Sequence, residues 1–277
     1  MLRQLSDLKG SPLVEGVLSK VDELKPLHLS IVGGDPLVRY RELMELLPKL
    51  VARGIYVQLV TSAFRPIPIE WKDLPNFKLV VSIDGLPPEH DRRRSPATYE
   101  RILKNIAGHT ITVHSTITSQ MLLRPSYLEE LLRWWQERPE ANQIWMSIFT
   151  PQRGSRDPEI LSQSQRAFVV DELLRLRPLI PKLDMNPEAI RTFLTPPSSP
   201  AECVFSQVTE TISADLTTRI TPCQFGGDPD CAQCGCAASM GLHALAQRTV
   251  SGIGVRSLFT ISNAVGKSVG RLKARAA

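Results

Sequence analysis

Between residues 11 and 149 the apolar positions alternate between a helical and an extended period. Residues 11–24 set Leu13, Val14, Val17, Leu18, Val21 and Leu24 on one helical face, with Ser11-Pro12 as cap and first turn. Residues 27–32 are an extended apolar run that stops at Gly33-Gly34-Asp35-Pro36. Residues 42–51 are helical up to Arg53-Gly54, and 56–60 form a strand ending at Thr61-Ser62-Ala63. A proline-rich connection over 66–75 has room for at most a short helix. Residues 77–83 are a near-continuous apolar run of the kind buried on both faces, leading into Asp84-Gly85. Then follow a helix over 99–106, a strand over 109–117, a strongly apolar helix over 127–136 and a strand over 144–149.

Five strands, each followed by a helix or its remnant, predict an α/β fold built as a partial parallel (β/α) barrel rather than a two-layer α+β fold. The pattern changes after Thr150. A polar loop covers 152–158, a long amphipathic helix 161–176, and Thr195-Pro196-Pro197-Ser198-Ser199-Pro200 is the plainest linker in the chain. Residues 208–212 and 219–220 are candidates for a short hairpin. The expected division is a barrel over 1–194, a small cysteine-rich C-terminal segment over 195–250, and a tail with a terminal helix over 251–277.

Composition adds little to this until its distribution is considered. Hydrophobic residues at 42% and charged residues at 22% are those of an ordinary globular protein. No apolar run approaches the roughly 20 residues that span a bilayer, and residues 1–10 do not form a secretory signal, so a cytoplasmic location is expected. The net charge is +5, and Arg256, Lys267, Arg271, Lys273 and Arg275 in the acid-free tail account for all of it. A nucleic-acid surface would spread its basic patch over the folded domain, so none is expected. With Val255, Leu258, Phe259, Val265, Val269 and Leu272 at helical spacing, the tail reads as a basic amphipathic helix, packed on its own domain or meeting a membrane surface or a partner.

The cysteines are clustered. Of five, Cys223, Cys231, Cys234 and Cys236 lie within 223–236, and Cys203 precedes them by 20 positions. That is too few for a disulfide scaffold, and the clustering points to a metal site, with iron–sulfur and structural zinc both served by such ligands.

A second set of candidates stands at the strand ends. Gly33-Gly34 lets backbone approach a ligand closely, and Asp35 beside it can accept from an ammonium group. Ser82-Ile83-Asp84-Gly85 ends a later strand and is followed by Glu89-His90-Asp91-Arg92-Arg93-Arg94. In parallel α/β folds ligands sit at the carboxyl ends of strands, so both sets line one face. His90 reads as a surface or helix-capping residue, His114 as a core or cavity residue, and two of the three arginines as solvated.

With these residues in view, 27–117 resemble the central part of a radical S-adenosylmethionine (SAM) domain. Ser30 to Pro36 is similar to the family's Gly-Gly-Glu-Pro motif, with Asp35 in place of Glu. Thr61-Ser62-Ala63 stands where the family has Thr-Asn-Gly, and 81–94 resemble its Ser-Ile-Asp-Gly…His-Asp…Arg stretch in the branch that modifies peptides and proteins. The resemblance implies that Gly33, Gly34 and Asp35 meet the amino group of SAM. Ser82 and Asp84 would lie near its ribose or carboxylate, and Arg94 would pair with that carboxylate, as a planar fork of donors suits.

The C-terminal cysteines resemble the SPASM or twitch segments that hold auxiliary clusters: Cys203, a hairpin over 211–221, Pro222-Cys223, then Cys231-Ala-Gln-Cys234-Gly-Cys236. The implied cofactor is one auxiliary [4Fe–4S] cluster on Cys223, Cys231 and Cys234, with Cys203 or Cys236 as the fourth ligand and zinc as the alternative metal. Leu216 to Thr218 stands where that hairpin usually has Gly. Gly226-Gly227 would let the loop fold tightly, and Gly235 would let the cysteines turn inward.

The family's catalytic Cys-x-x-x-Cys-x-x-Cys follows its first strand, and no cysteine precedes Cys203 here. The barrel therefore reads as lacking its first strand, through truncation rather than decay because the missing part is one contiguous block. As written the chain is expected not to cleave SAM. A complete form is expected to generate a 5′-deoxyadenosyl radical and modify a peptide or protein, with residues 149–154 facing the substrate and an electron donor such as a flavodoxin or ferredoxin. The alternatives are a non-catalytic Fe–S module and a zinc-stapled binding module.

Overall fold

The computed structural model describes residues 7–250, 253–259 and 261. Its centre is a parallel sheet in the order β1 (His28–Ile31), β2 (Tyr56–Thr61), β3 (Phe77–Ile83), β4 (Ile111–Ile117) and β5 (Ala141–Ile148). Sequence order and spatial order coincide, so right-handed crossovers put the connecting helices on one face and curl the sheet as a partial parallel barrel. The sequence-predicted fold class is the one observed.

The period-2 alternation sorts the two faces. Val57, Leu59, Leu79, Val81, Ile83, Ile111, Val113, Ile117, Ile144, Met146 and Ile148 are buried on the side of the helices. There they meet α2 (Tyr40–Val51) through Leu43, Leu46, Leu47 and Leu50, and α4 (Tyr99–Ile106) through Ile102 and Ile106. Leu128, Leu131, Leu132 and Trp135 of α5 (Tyr127–Gln136) and Val169, Val170, Leu173 and Leu176 of α6 (Gln163–Leu176) complete this core. Side chains of this size contribute roughly 1.5–3 kcal/mol each on full burial.

The opposite, concave face is polar. Lys78 Nζ stands 4.5 Å over the Trp145 ring and donates to Gln143 Oε1 at 2.8 Å; Gln143 Nε2 donates to Asp184 Oδ2 at 2.7 Å. Burial lowers the Lys78 pKa. On β3, Val80 is buried on this face as Leu79 and Val81 are on the other, so the centre of the strand is covered on both faces as its apolar run suggests, while Lys78 and Ser82 are half-buried.

Several elements match their sequence-predicted bounds: α1 (Ser11–Leu24), β3, α4 and α5. Others shift. A 3-10 turn over Pro36–Arg39 precedes α2, β4 starts at Ile111 rather than 109, and β5 starts at Ala141 rather than 144. α6 begins after Ser162, which forms a capping box with Gln165. After α7 (Pro187–Thr192), residues 204–208 form the short helix α8 (Val204–Val208), which takes the first residue of the expected hairpin strand 208–212.

The hairpin forms farther along, where Ile212 bridges Arg219 and Ser213 N donates to Thr218 O. Leu216 takes the left-handed position at its tip, with φ 59°, where glycine would be unstrained. Its side chain fills the space over Gly16 of α1, where an added Cβ would lie 2.5 Å from Leu216 Cδ1. That packing is the physical reason a leucine stands at a glycine position.

Past β5 the sheet has no continuous neighbour among the described residues. Ile144 N donates to Lys182 O at one end of the strand, and Ile148 N donates to Gly235 O at the other. Of the terminal helix expected in the tail over 251–277, residues 255–259 and 261 are helical, and the rest lies outside the described residues apart from 253–254. Among the described residues no helix is long and apolar enough to cross a membrane.

Candidate functional site

The carboxyl ends of β1, β2 and β3 bring the first candidate set together. Gly33 has φ 139° and open space where a Cβ would be, and Gly34 is exposed beside it. Asp35 turns inward. Its Oδ1 accepts from Leu37 N at 3.0 Å and Thr61 Oγ1 at 2.8 Å, and its Oδ2 accepts from Ser62 N at 2.7 Å and from Ser62 Oγ. A carboxylate offers about four lone-pair sites, and all are taken from within the chain. Asp35 thus caps the 3-10 turn and fastens the β1 loop to the end of β2. The Thr61-Ser62 pair was noted in the sequence only by position; its hydrogen bonding is what fixes Asp35. Asp35→Ala is expected to lower stability by about 2 kcal/mol, from the lost cap and the freed donors, read as a drop in the urea midpoint at unchanged slope.

Asp84 and Arg94 meet directly. Arg94 Nε lies 2.6 Å from Asp84 Oδ2 and Nη2 3.2 Å from Oδ1, a bidentate pair that leaves the outer guanidinium N–H groups free of Asp84. Ser82, half-buried on the concave face, stands in register with His114. His114 Nε2 lies 2.8 Å from Ser147 Oγ, which accepts from Ala237 N at 3.2 Å, so this face runs directly into the cysteine segment.

Three buried side chains hold the loop after β3, and sequence reading missed all three roles. His90 Nδ1 accepts from Asp84 N at 2.9 Å, Tyr99 Oη donates to Gly85 O at 2.5 Å, and Leu86 N donates to Tyr127 Oη at 2.8 Å. His90 is therefore buried (0% exposed) and not a surface residue. Its Nε2 carries the proton and donates to Ala97 O at 2.8 Å. Of the arginines, which lie on α3 (Pro87–Arg93) and its cap rather than in a loop, Arg92 and Arg93 are exposed, as expected of two of the three; Arg93 also pairs with Glu159 and approaches Asp84 at 3.9 Å. Helical spacing of Tyr99 and Tyr127 marks them as core, which they are, but cannot show that their hydroxyls reach another strand's end.

Burial lowers the His90 pKa below the ordinary imidazole value, against the opposing pull of the Ala97 carbonyl. The unfolded chain takes up that proton near pH 6.5 while the native state resists it, so the unfolded state binds more protons as pH falls and stability declines. The urea midpoint is expected to drop between about pH 7.5 and about pH 5.5. His90→Gln should flatten part of that slope even though it is less stable overall; an unchanged slope counts against His90 as its source.

The second set is the cysteine segment. All five thiols are free and line one pocket with about 440 Å³ of space, part of it open to solvent. Pro197, Pro200, Phe205, Pro222 and Phe225 supply its apolar wall. Burial raises the Cys223, Cys231 and Cys234 thiols and pushes Cys236 up to about 12. Cys236 is 5% exposed and stands apart in its partners: its Sγ caps α9 (Ala237–Ala246) and accepts from Gln224 Nε2 at 3.1 Å and Ser239 N at 3.5 Å. Cys203 Sγ lies 3.1 Å from Ser239 Oγ. Among the described residues no group of three or more His, Cys, Asp or Glu converges closely enough to hold a single metal ion. The thiols ring the pocket rather than meet at a point.

The segment is docked on the end of β5. Gly235 O accepts from Ile148 N at 2.8 Å and Gly235 N donates to Thr150 Oγ1 at 2.8 Å. Residues 149–154, expected to face a substrate, are largely occupied here: Asp230 N donates to Pro151 O, Arg153 N to Asp228 O, and Asp228 N to Gln152 Oε1. Gly227 takes φ 64°, where glycine is unstrained, and a Cβ there would lie 2.7 Å from Oε1 at the far end of the Gln152 side chain.

No family model matches the chain, and no curated protein sequence matches it. Among solved structures it is similar to SuiB of Streptococcus suis, with TM-score 0.50 and 16% identity over 62% of this chain and 42% of SuiB. SuiB bound to S-adenosylmethionine gives TM-score 0.45 and 17% identity, over 64% of this chain and 39% of that one. SuiB bound to its precursor peptide SuiA gives 0.48 and 18%, over 64% and 40%. At such identity the likeness is one of fold, and this chain spans about two-fifths of the SuiB chain it matches.

Proposed function

We propose that this chain belongs to a radical SAM enzyme that modifies a peptide or protein, with Gly33, Gly34, Ser82 and the Asp84–Arg94 pair facing SAM and the cysteine pocket holding an auxiliary [4Fe–4S] cluster. The observation that carries the reading is the convergence of these groups at the carboxyl ends of one parallel sheet, with the cysteine segment fastened to the last strand of that sheet. The fold shared with SuiB supports it.

Within this reading the residues divide the work as follows. The Gly33 and Gly34 carbonyls, on an open loop, accept from the ammonium of SAM, while Asp35 holds that loop rigid. Asp84 orients the Arg94 fork so that its outer donors meet the carboxylate of SAM. His90, Tyr99 and Tyr127 keep Asp84 in place. When bound, SAM and a reduced cluster would supply radical hydrogen-abstraction chemistry, with a flavodoxin- or ferredoxin-like protein as the electron donor. The three thiolates that bind such a cluster at the first strand end are not among these 277 residues, since no cysteine precedes Cys203.

The five thiols share one pocket with an apolar wall. Soft thiolates in an apolar wall are the donor set of an iron–sulfur centre. Cys203 is favoured as the fourth ligand, because the Cys236 sulfur is already held by Gln224 and the start of α9.

The test is anaerobic isolation followed by iron, sulfide and zinc analysis and by equilibrium dialysis with SAM. Iron and sulfide in equal amounts, with SAM retention weakened at least tenfold by Arg94→Met, are expected. A colourless protein carrying zinc and retaining no SAM would overturn the proposal.

A further inference from the structure

Arg166 is a buried cation without a carboxylate partner. It lies on α6, is 7% exposed, and forms no ion pair within 4.0 Å among the described residues. Its guanidinium instead donates to three backbone carbonyls. Nη1 reaches Phe193 O and Cys234 O, each at 3.0 Å, and Nη2 reaches Gln233 O at 2.7 Å. One side chain thus ties α6 to the end of α7 and to the Cys231-Ala-Gln-Cys234 loop.

Two costs need an explanation. Removing a guanidinium from water is unfavourable by several kcal/mol unless a counter-charge offsets it. Three carbonyls alone could be served by a neutral donor such as an amide. The loop that Arg166 grips carries Cys231 and Cys234, two of the thiols that line the pocket. As a neutral thiol Cys234 offers no counter-charge. As a thiolate ligand it does, and a four-thiolate cluster is anionic overall.

We infer that Arg166 is the positioning residue and built-in counter-cation of the cysteine centre, holding the Cys231–Cys234 loop in ligating form and easing reduction of the cluster bound there. The inference rests on the cluster reading above and deepens it. The guanidinium acts through the loop backbone and through its charge, and touches neither the sulfurs' bonds nor a substrate. A cation close to a redox centre favours the electron-rich state, so its removal makes the centre harder to reduce.

The experiment is a redox titration of the anaerobically reconstituted protein, followed by visible absorption and EPR, together with the rate of iron loss to a chelator. Arg166→Met is expected to lower the reduced-to-oxidised ratio at a fixed potential at least tenfold, equal to a shift of about 59 mV for one electron. It should also release iron several-fold faster. Arg166→Lys keeps the charge but not the fork, so it should hold the wild-type midpoint while still releasing iron faster. If Arg166→Met does not fold, the Lys variant decides: a wild-type rate of iron loss there overturns the positioning role. A wild-type midpoint in Arg166→Met overturns the charge role. If the wild-type protein takes up no iron and sulfide, it is the cluster reading that fails, independently of Arg166.

Discussion

Gly235→Val is expected to lower stability by about 3 kcal/mol or more and to release the cysteine segment from the sheet. A Cβ on residue 235 would lie 2.0 Å from Ile148 O, 2.4 Å from Ile148 C and 2.6 Å from Ile148 Cβ. The obstacle is mainly backbone in the last turn of pairing of β5, so no rotamer change relieves it. Either the segment or the strand must move. Overpacking of this kind costs about 1–3 kcal/mol, and moving the segment also breaks Ile148 N to Gly235 O and Gly235 N to Thr150 Oγ1. A buried N–H left unpaired adds about 1–3 kcal/mol. In a chain of this size a loss of about 3 kcal/mol corresponds to a fall in Tm of about 6–12 °C. Thermal unfolding by circular dichroism measures it, and a variant melting with the wild type would show that the segment is not packed on β5 as described. The reason for this glycine differs from the one its sequence suggests. It is required by the approach of β5, not by a turn between closely spaced cysteines.

Replacing Cys203 with Ser should abolish the visible absorption of the reconstituted protein, whereas Cys236→Ser should retain most of it. Five thiols line the pocket, and a cubane cluster takes four. Burial is the main cause that raises Cys223, Cys231, Cys234 and Cys236; Cys203 adds to the first three, and Cys234 and Cys223 add to the last. What sets Cys236 apart is that its sulfur caps α9. A serine there keeps an acceptor for Ser239 N and Gln224, so the cap survives. Losing one of four ligands removes a strong bond to iron and leaves a site open to water and oxygen. Iron and sulfide contents after anaerobic reconstitution give the answer. Loss in Cys236→Ser with retention in Cys203→Ser would reverse the assignment, and equal retention in both would mean that either thiol serves.

Much of the fold is legible because local period and burial agree over 11–149. The alternation of Leu79, Val81 and Ile83 with Lys78 and Ser82 states which side of β3 meets helices. The apolar stripe of α5 does the same for its helix. Where two local preferences compete, the sequence is ambiguous. Residue 208, read as the start of the hairpin strand over 208–212, instead ends the helix α8, which packs on α9. The hairpin lacks its usual glycine, and packing on Gly16, nearly two hundred residues away, settles the conformation of Leu216.

The candidate site divides in the same way. Clustered cysteines, strand-end glycines and an Asp–Arg pair are residue types with their own chemistry, so the sequence alone marked Gly33, Asp84, Arg94 and the five thiols as candidates. It could not show that Asp35 has all its acceptor sites filled by Leu37, Thr61 and Ser62, that His90 and two tyrosines grip the loop behind Asp84, or that Arg166 enters the cysteine loop from α6. Those contacts join residues whose separation along the chain carries no periodic signal. A repeating pattern records which face of an element is apolar, because burial of each element is paid along its own length. A single hydrogen bond between distant segments leaves no such record, and only the tertiary structure decides it.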